Sequence, residues 1–398
     1  MSINVGVGVS SGDDSYLAGT NACQEAISAL PQGTQADLVI VFSSVKYNQE
    51  EVISGVRAVS GESRLIGASS AGEITTSGPA KANSVAVMVI SAPEIKFSTS
   101  VSQMAPDATE AGRSIARGIK EKAGDDLKML IMFPDVLSGN GADVVRGALE
   151  ILGKHFPMVG GAPGDDFQFK KTYQYLNDRV HSGSVAALGL SGDIKMGIGV
   201  RHGWTPVGLS KKITRSKGAI LYEIDNKPAI DLYKDYLGVE EALKLEETLA
   251  TLAVMYPLGM SVSGSDELLL RFPITANKDG SLTCAAEVPE GSEVRLMIGD
   301  IENAILGSKE ATRMAMRELG DAKPKAVIVF NCIARKKLFG SRAGEEIDAI
   351  KEVVGENVPL IGFYTYGEQA PMGGEVADVM KCNTKFHNET AVILVLGE

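Results

Sequence analysis

Cysteine is scarce in this chain and never clustered: Cys23, Cys284, Cys332 and Cys382 stand far apart, with no CxxC and no CxxCH. Zinc ribbons, thioredoxin-like redox chemistry and covalent haem attachment are therefore unsupported, and the scattered thiols fit a reducing cytosol. Positive charge is also short, with 39 Lys and Arg against 50 Asp and Glu, a net charge of −11 and no basic cluster. A surface of that sign argues against nucleic acid or an anionic membrane as partner. Long apolar runs are absent too, none approaching the roughly 20 residues that span a bilayer. The opening MSINVGVGVSSGDD lacks the positive region and apolar core of a signal peptide.

Glycine is abundant, at 44 residues, in a chain of 398 that is 44% apolar and 22% charged. That composition describes an ordered, loop-rich protein, and the length is more than one core usually covers, so two domains are expected.

The main signal is repetition. VIVF at 39–42 returns unchanged at 327–330, with LIMF at 130–133. Each is a short apolar run that reads as a buried strand. The stretches 48–60, 141–153 and 344–355 follow, with aliphatics at three- and four-residue spacing, the pattern of an amphipathic helix. Three related segments come next: LIGASSAGE (65–73), MVGGAPGDD (158–166) and LIGFYTYGE (360–368). Each unit closes on a further β run, at 84–91, 184–191 and 390–397.

A strand-helix-strand crossover makes its two strands parallel and sends both carboxyl ends to one sheet edge, where open α/β sheets bind ligands. Loops 43–48 with 68–73, 134–140 with 161–166, and 331–336 with 363–368 should share such rims. The glycines at 67, 160 and 362 are read as sharp turns, and the acids Glu73, Asp165, Asp166 and Glu368 as holders of a cationic group. A single Gly-Glu pair needs no ligand, since it serves as a turn or a cap. Three on equivalent corners are what raise the question.

Between the second and third units, 222–238 reads as a strand, a turn at Asp225-Asn226 and a helix with Pro228 near its start. Residues 239–254 continue as an acidic amphipathic stretch. Stretches 267–274, 281–288 and 293–299 suit an antiparallel meander, and Asp300 a helix cap. The fold class expected is α/β, with two domains (1–215 and 216–398) built on repeated strand-helix-strand-strand units, mixed sheets and an antiparallel meander inserted in the C-terminal half.

Catalytic signatures are weak. ASSAG (68–72) has the outline of a nucleophile elbow, but that motif needs a helix after the serine and EITTSGPA reads as strand and loop. GVGVSSG (6–12) lacks both Gly-Lys-Ser/Thr and GxGxxG. No catalytic set emerges, and the chain is not expected to be an enzyme.

Taken in order, GASSAGE (67–73), GGAPGDD (160–166), HGWTPVG (202–208), ITRSKGAILYEIDNKPAIDLY (213–233), LLLRFPI (268–274), EVPEGSEVRLMIGD (287–300), NCIARKKLFG (331–340), GFYTYGE (362–368) and FHNET (386–390) resemble the FIST (F-box and intracellular signal transduction) family, N- and C-terminal parts together. The resemblance implies a bacterial cytosolic sensory domain binding a small molecule, with an amino acid favoured. Its partner would be a histidine kinase of a two-component system or a cyclic-dinucleotide enzyme. The chain carries no output domain of its own after the third β run, so the partner would be separate.

For an amino-acid ligand, Arg335 could take the carboxylate and Glu73, Asp165, Asp166 or Glu368 the ammonium. Ser69, Ser70, Thr365 and Asn331 would supply neutral contacts, and Tyr364 and Tyr366 the walls. Some family members resembling this chain carry haem and sense nitric oxide, which implies haem b as an alternative. His202, after an apolar β run and near Trp204, is then the axial-ligand candidate and His387 the second choice. A scaffold without a ligand, or an uncharacterised enzyme, completes the alternatives.

Overall fold

The computed structural model describes residues 2–80, 83–238, 245–262, 265–372 and 382–398. Its plan is one unit written three times. The first runs β1 (Asn4–Ser10), α1 (Ser15–Ser28), β2 (Leu38–Ser44), α2 (Gln49–Ser60), β3 (Arg64–Ser70), a hairpin β4 (Glu73–Thr75) and β5 (Gly78–Pro79), and β6 (Val85–Ser91). The second runs β7 (Lys96–Gln103), α3 (Ala108–Ala123), β8 (Leu127–Pro134), α4 (Gly141–Leu152), β9 (Met158–Gly161), hairpin β10 (Gln174–Leu176) and β11 (Arg179–His181), and β12 (Ser184–Ser191). The third opens on β13 (Lys195–Arg201) and is interrupted by an insertion.

That insertion holds β14 (Thr205–Lys217), β15 (Ile220–Ile224), β16 (Lys227–Pro228), α5 (Asp231–Leu237), α6 (Leu245–Ala253), β17 (Leu258–Met260), β18 (Leu269–Arg271), β19 (Pro273–Ala276), β20 (Leu282–Cys284) and β21 (Glu293–Ile298). The third unit resumes with α7 (Ile301–Leu319), β22 (Pro324–Cys332), α8 (Ile333–Phe339), α9 (Ala343–Val354), β23 (Leu360–Thr365), hairpin β24 (Glu368–Pro371) and β25 (Thr384–His387), and β26 (Ala391–Gly397).

The crossovers are parallel as expected: β2 with β3, β8 with β9 and β22 with β23. The last strand of each unit lies antiparallel to the first strand of its crossover, and the opening strand covers its free edge. The hairpins do not stay at home. β4–β5 of the first unit extends the third unit's sheet, β10–β11 of the second extends the first, and β24–β25 of the third extends the second. Three six-stranded mixed sheets result, each completed by a neighbouring unit. The exchange covers strand edges that would otherwise be open to unwanted pairing.

Strand alternation explains the near-continuous apolar runs. Leu38, Ile40 and Phe42 point into a central core shared by the three sheets, while Val39 and Val41 face α1 and α2. Ile131 with Phe133 and Ile328 with Phe330 do the same in the other units. The repeated phenylalanines meet at the centre: Phe42 lies 5.9 Å from Phe133 and Phe133 lies 6.2 Å from Phe330, with Phe363 touching all three.

Several details differ from expectation. Gly67 and Gly362 lie within strands, and with Gly160 they mark close approach rather than turns. A Cβ at Gly67, Gly160 or Gly362 would fall 1.9, 2.0 or 2.4 Å from the carbonyl oxygen of Val41, Met132 or Val329. The bends come later, with Gly72 at φ 124° and Gly367 at φ 150°. The inserted region is an eight-stranded antiparallel sheet, not a sequential meander: β21 pairs with β17 and β14, not with β20. Asp225 and Asn226, both at positive φ, make the turn expected of them. Asp300 caps α7 by accepting from the Asn303 N–H at 2.9 Å. Residues 215 and 216 are neighbours inside β14, and β13 pairs along its length with β26, so the two halves share a sheet. Residues 239–244 of the acidic stretch lie outside the described residues.

Candidate functional site

The three corners that follow the parallel strands are laced together. The Ala71 N–H donates to the Tyr364 carbonyl at 3.0 Å, and the Tyr364 N–H donates to Gly72 at 2.9 Å. The Gly164 N–H reaches the Ser69 carbonyl at 3.2 Å, the Tyr366 N–H reaches Ala162 at 3.0 Å, and the Ala162 N–H reaches Gly367 at 2.7 Å. Each unit thus delivers its corner to a common rim.

The repeated acids are buried there, in related settings. Glu73 accepts from the hydroxyls of Ser70 and Ser84, and Glu368 accepts from those of Thr365 and Thr390. Burial pushes each of these carboxyls up to about 7, against hydroxyl donors that pull it down. Asp165 differs. Its oxygens accept from the Tyr366 hydroxyl and from the N–H groups of Phe169, Lys170 and Lys171 at 2.7–3.0 Å, which together hold it below the usual range despite burial. Asp165 therefore pins a loop in which Asp166, Phe167 and Phe169 all have positive φ, a conformation that needs such support.

A polar cavity opens on this rim, with a volume of about 480 Å³. Ser44, Lys46, Gly72, Glu73, Ala80, Asn83, Asp166 and Lys336 line it. The first unit supplies Glu73, the second Asp166 and the third Lys336. Lys336 Nζ donates to the Ala71 carbonyl at 2.7 Å and lies 5.2 Å from the centre of the Tyr364 ring, so its ammonium is held at the mouth between two corners.

Glu73 and Asp166 are the sequence candidates brought together on this cavity; the others lie elsewhere. Arg335 is corrected from ligand grip to internal strut. Residues 331–336 are not a loop, since β22 runs through Cys332 and α8 starts at Ile333. The Arg335 side chain is fully buried: Nε and Nη2 bond Glu346, Nη1 the His202 carbonyl at 2.5 Å, and Nη2 also Ala304 O and Ser308 Oγ. Every guanidinium nitrogen is engaged inside the protein. Asn331 is buried in the same cluster, its amide N–H donating to Glu346 at 2.6 Å.

Ser69 bridges corners, donating to Gly164 O and accepting from the Tyr173 N–H, both at 3.0 Å. No helix follows Ser70; the chain enters β4 at Glu73, so the elbow geometry is absent at this serine. Tyr364 is buried behind Lys336. Tyr366 stacks on Phe169 at 4.8 Å and lines a narrow apolar crevice with Phe167, Phe272 and Cys332.

The histidines do not fit an axial-ligand role. His202 is 7% exposed; its Nδ1 accepts from the Trp204 N–H at 2.9 Å and its Nε2 stands 3.2 Å from Glu267 Oε1. His387 is 3% exposed, with Nε2 on the Ala370 carbonyl at 3.0 Å. Burial drives them down to about 3 and about 4 respectively, so both are neutral core residues. Haemin added to the purified protein is expected to keep the spectrum of unligated haemin. A sharpened Soret band that His202→Ala abolishes would reverse this assignment.

Sequence reasoning missed Lys336, Lys46, Ser44 and Asn83. Lys336 had a readable signal: one residue beyond Arg335 on a helix is a turn of about 100°, enough to separate a buried face from an exposed one. Taking 331–336 as a loop hid it. Asn83 had none, because only the fold sets it beside Glu73.

Comparison with known families matches the FIST N domain over residues 37–227 and the FIST C domain over 229–371. An uncharacterised protein of Methanocaldococcus jannaschii is 24% identical over 92% of this chain and 74% of its own length. One from Mycobacterium tuberculosis is 23% identical over 94% and 97%. Among solved structures, a chorismatase crystal structure aligns with all of both chains at TM-score 0.34 and 9% identity. PurLQS from Thermotoga maritima gives TM-score 0.24 and 8% identity, over 99% of this chain and 72% of that one. Overlays at that level assign neither fold nor activity. The two family matches together run through most of the chain in the expected order, and the protein belongs to the FIST family of small-ligand sensory domains.

Proposed function

We propose that this protein senses an amino acid, or a metabolite with the same pairing of carboxylate and ammonium, bound in the rim cavity. Lys336 takes the carboxylate, Asp166 and Glu73 take the ammonium, and Ser44 and Asn83 satisfy the remaining polar atoms. The observation that carries the reading is the meeting of Glu73, Asp166 and Lys336, one from each unit, on one polar cavity of about 480 Å³. That size lies in the range of small-molecule sites, roughly 300–1,000 Å³. Opposite charges at its mouth match a zwitterion, whose two ends must both be paired on leaving water.

A ligand bridging Lys336 to Asp166 would tighten one unit against another, and a change in that contact is what a separate partner, such as a histidine kinase or a cyclic-dinucleotide enzyme, would read. The family's sensory role supports the relay; the partner's identity rests on that role alone.

Thermal unfolding with a panel of amino acids and their keto and amine analogues tests the proposal. At a hundredfold its Kd, a true ligand stabilises by about 2.7 kcal/mol, a rise of several degrees in Tm. The analogue missing either charge should lose the shift, and Lys336→Met should abolish it in a protein that still unfolds cooperatively. A flat response across the panel sinks the reading.

A further inference from the structure

A second cavity, of about 400 Å³, lies between α4 and the inserted sheet, against β25. It shares no lining residue with the rim cavity. Its wall is apolar along Val145, Leu149, Met260, Val262, Leu269 and Phe386. Its charges are unbalanced: Arg146, Arg271 and Lys385 against Glu287, the one acid in the lining. Glu287 accepts from Arg146 Nη1 at 2.6 Å, and Arg146 also pairs with Asp143 outside the lining.

Arg271 is the decisive residue. It is 2% exposed, and its bonds go to neutral backbone acceptors: Nε to Glu287 O at 2.6 Å, Nη1 to Leu270 O at 2.9 Å and Phe386 O at 3.1 Å. None of these uses Nη2, and no carboxylate pairs with the guanidinium among the described residues. A buried guanidinium held by carbonyls is oriented without a direct ion pair, and burial depresses it to about 10 although the Glu287 charge nearby offsets part of that cost. Lys385, two residues from the end of β25, is depressed as well, by burial and by the two arginines, with Glu287 opposing them in part. Packing two cations into one wall is unfavourable unless enough negative charge joins them; Glu287 supplies one charge, shared with Arg146, and an open, apolar-walled space adjoins both cations.

We propose that this cavity is a second binding site, for an organic acid with one anionic head and an apolar body. The head lies between Arg271 and Lys385, and the body lies along Met260, Leu269 and Phe386. Because α4 belongs to the second unit, β25 to the third and β17–β18 to the insertion, occupancy would brace the insertion against the repeat scaffold.

Calorimetric titration of the full chain at low salt with octanoate, phenylacetate and phenyl phosphate tests this, with 2-phenylethanol as the uncharged control. At least one anion should bind and the alcohol should not. A preference for phenyl phosphate over phenylacetate would identify a phosphate head, and the reverse a carboxylate head. Lys385→Gln should weaken binding about tenfold, the scale of one charge-assisted contact. Glu287→Gln, which removes the competing carboxylate, should tighten it. Lys336→Met should leave it unchanged, separating this site from the rim cavity. The proposal is overturned if none of the three anions binds, or if binding is indifferent to both Lys385→Gln and Glu287→Gln.

Discussion

Arg335→Met is expected to lower the unfolding free energy by roughly 3–5 kcal/mol, the loss typical when one partner of a buried ion pair is removed. The side chain is fully buried, and its removal would leave the Glu346 carboxylate with Asn331 and Ser308 as donors but no counter-charge. The damage would not stop at the pair. Arg335 also ties α8 to the start of the insertion through the His202 carbonyl and to α7 through Ala304 and Ser308, and it packs over Trp204 and Phe339 with its charge 5.5 and 5.4 Å from their ring centres. Three separate segments therefore lose a common strut. Urea unfolding of the single variant and of Arg335→Met/Glu346→Leu separates the contributions. The double variant should recover part of the loss, because the stranded charge goes while the broken carbonyl contacts remain. A single variant within about 1 kcal/mol of wild type would mean the cluster is not the joint described here. The same experiment bears on function: a residue so committed cannot also grip a ligand carboxylate, which moves that role to Lys336.

The parts of this molecule that were legible in its sequence are those set by local periodicity. Strands such as VIVF, the amphipathic helices after them and the parallel crossovers follow from apolar spacing and chain length, and the three copies reinforced one another. The helix cap at Asp300 and the turn at Asp225-Asn226 were readable for the same reason, being chemistry within four residues. Long-range partnerships were not. Nothing in EITTSGP says that β4 will pair with β23, nearly three hundred residues away, because a two- or three-residue strand finds its edge only after the sheets exist. The acids show the same division. Their placement just past a glycine was visible, and their arrival at a shared rim followed from the crossovers. Whether each would face a cavity, as Glu73 does, or be enclosed, as Glu368 is with Thr365 and Thr390, depends on which hairpin crosses over it. Arg335 misled because arginine near a loop usually reaches solvent, whereas here a helix turns it inward toward Glu346.

Glu368→Gln and Glu73→Gln are each expected to gain stability over wild type as pH rises from 4.5 to 7, reaching a plateau above that. The sign follows from where the proton sits. Each carboxyl is raised from an ordinary 4.5 to about 7 in the folded protein, so between those values the folded state keeps a proton that the unfolded chain has released. Stability attached to the group is then fully present below 4.5 and is lost as pH climbs through 7. A displacement of that size corresponds to at most roughly 3–4 kcal/mol per group at 1.36 kcal/mol per pH unit. The wild-type curve alone will not display it. His202 and His387, depressed to about 3 and about 4, act oppositely, withholding protons from the folded state and favouring it as pH rises toward 6.5. The variant-minus-wild-type difference cancels the histidines; at Glu73 it leaves that carboxyl, and at Glu368 it also carries Glu389, whose carboxyl burial raises and the Glu368 charge raises further. Glutamine can keep the local bonds, since the Thr365 and Thr390 hydroxyls at one corner and the Ser70 and Ser84 hydroxyls at the other can turn to accept from its amide. Urea unfolding at half-unit steps from pH 4.5 to 8.5 measures the difference; a flat line for both variants would show the carboxyls to be ionised throughout. Glu73 differs from Glu368 in facing the rim cavity, so its proton is coupled to the ligand. A cationic group entering beside it would expel the proton, and apparent affinity should therefore rise with pH through about 7 in the wild type and lose that dependence in Glu73→Gln. Glu368→Gln, sharing the stability effect but not the cavity, should leave the dependence in place.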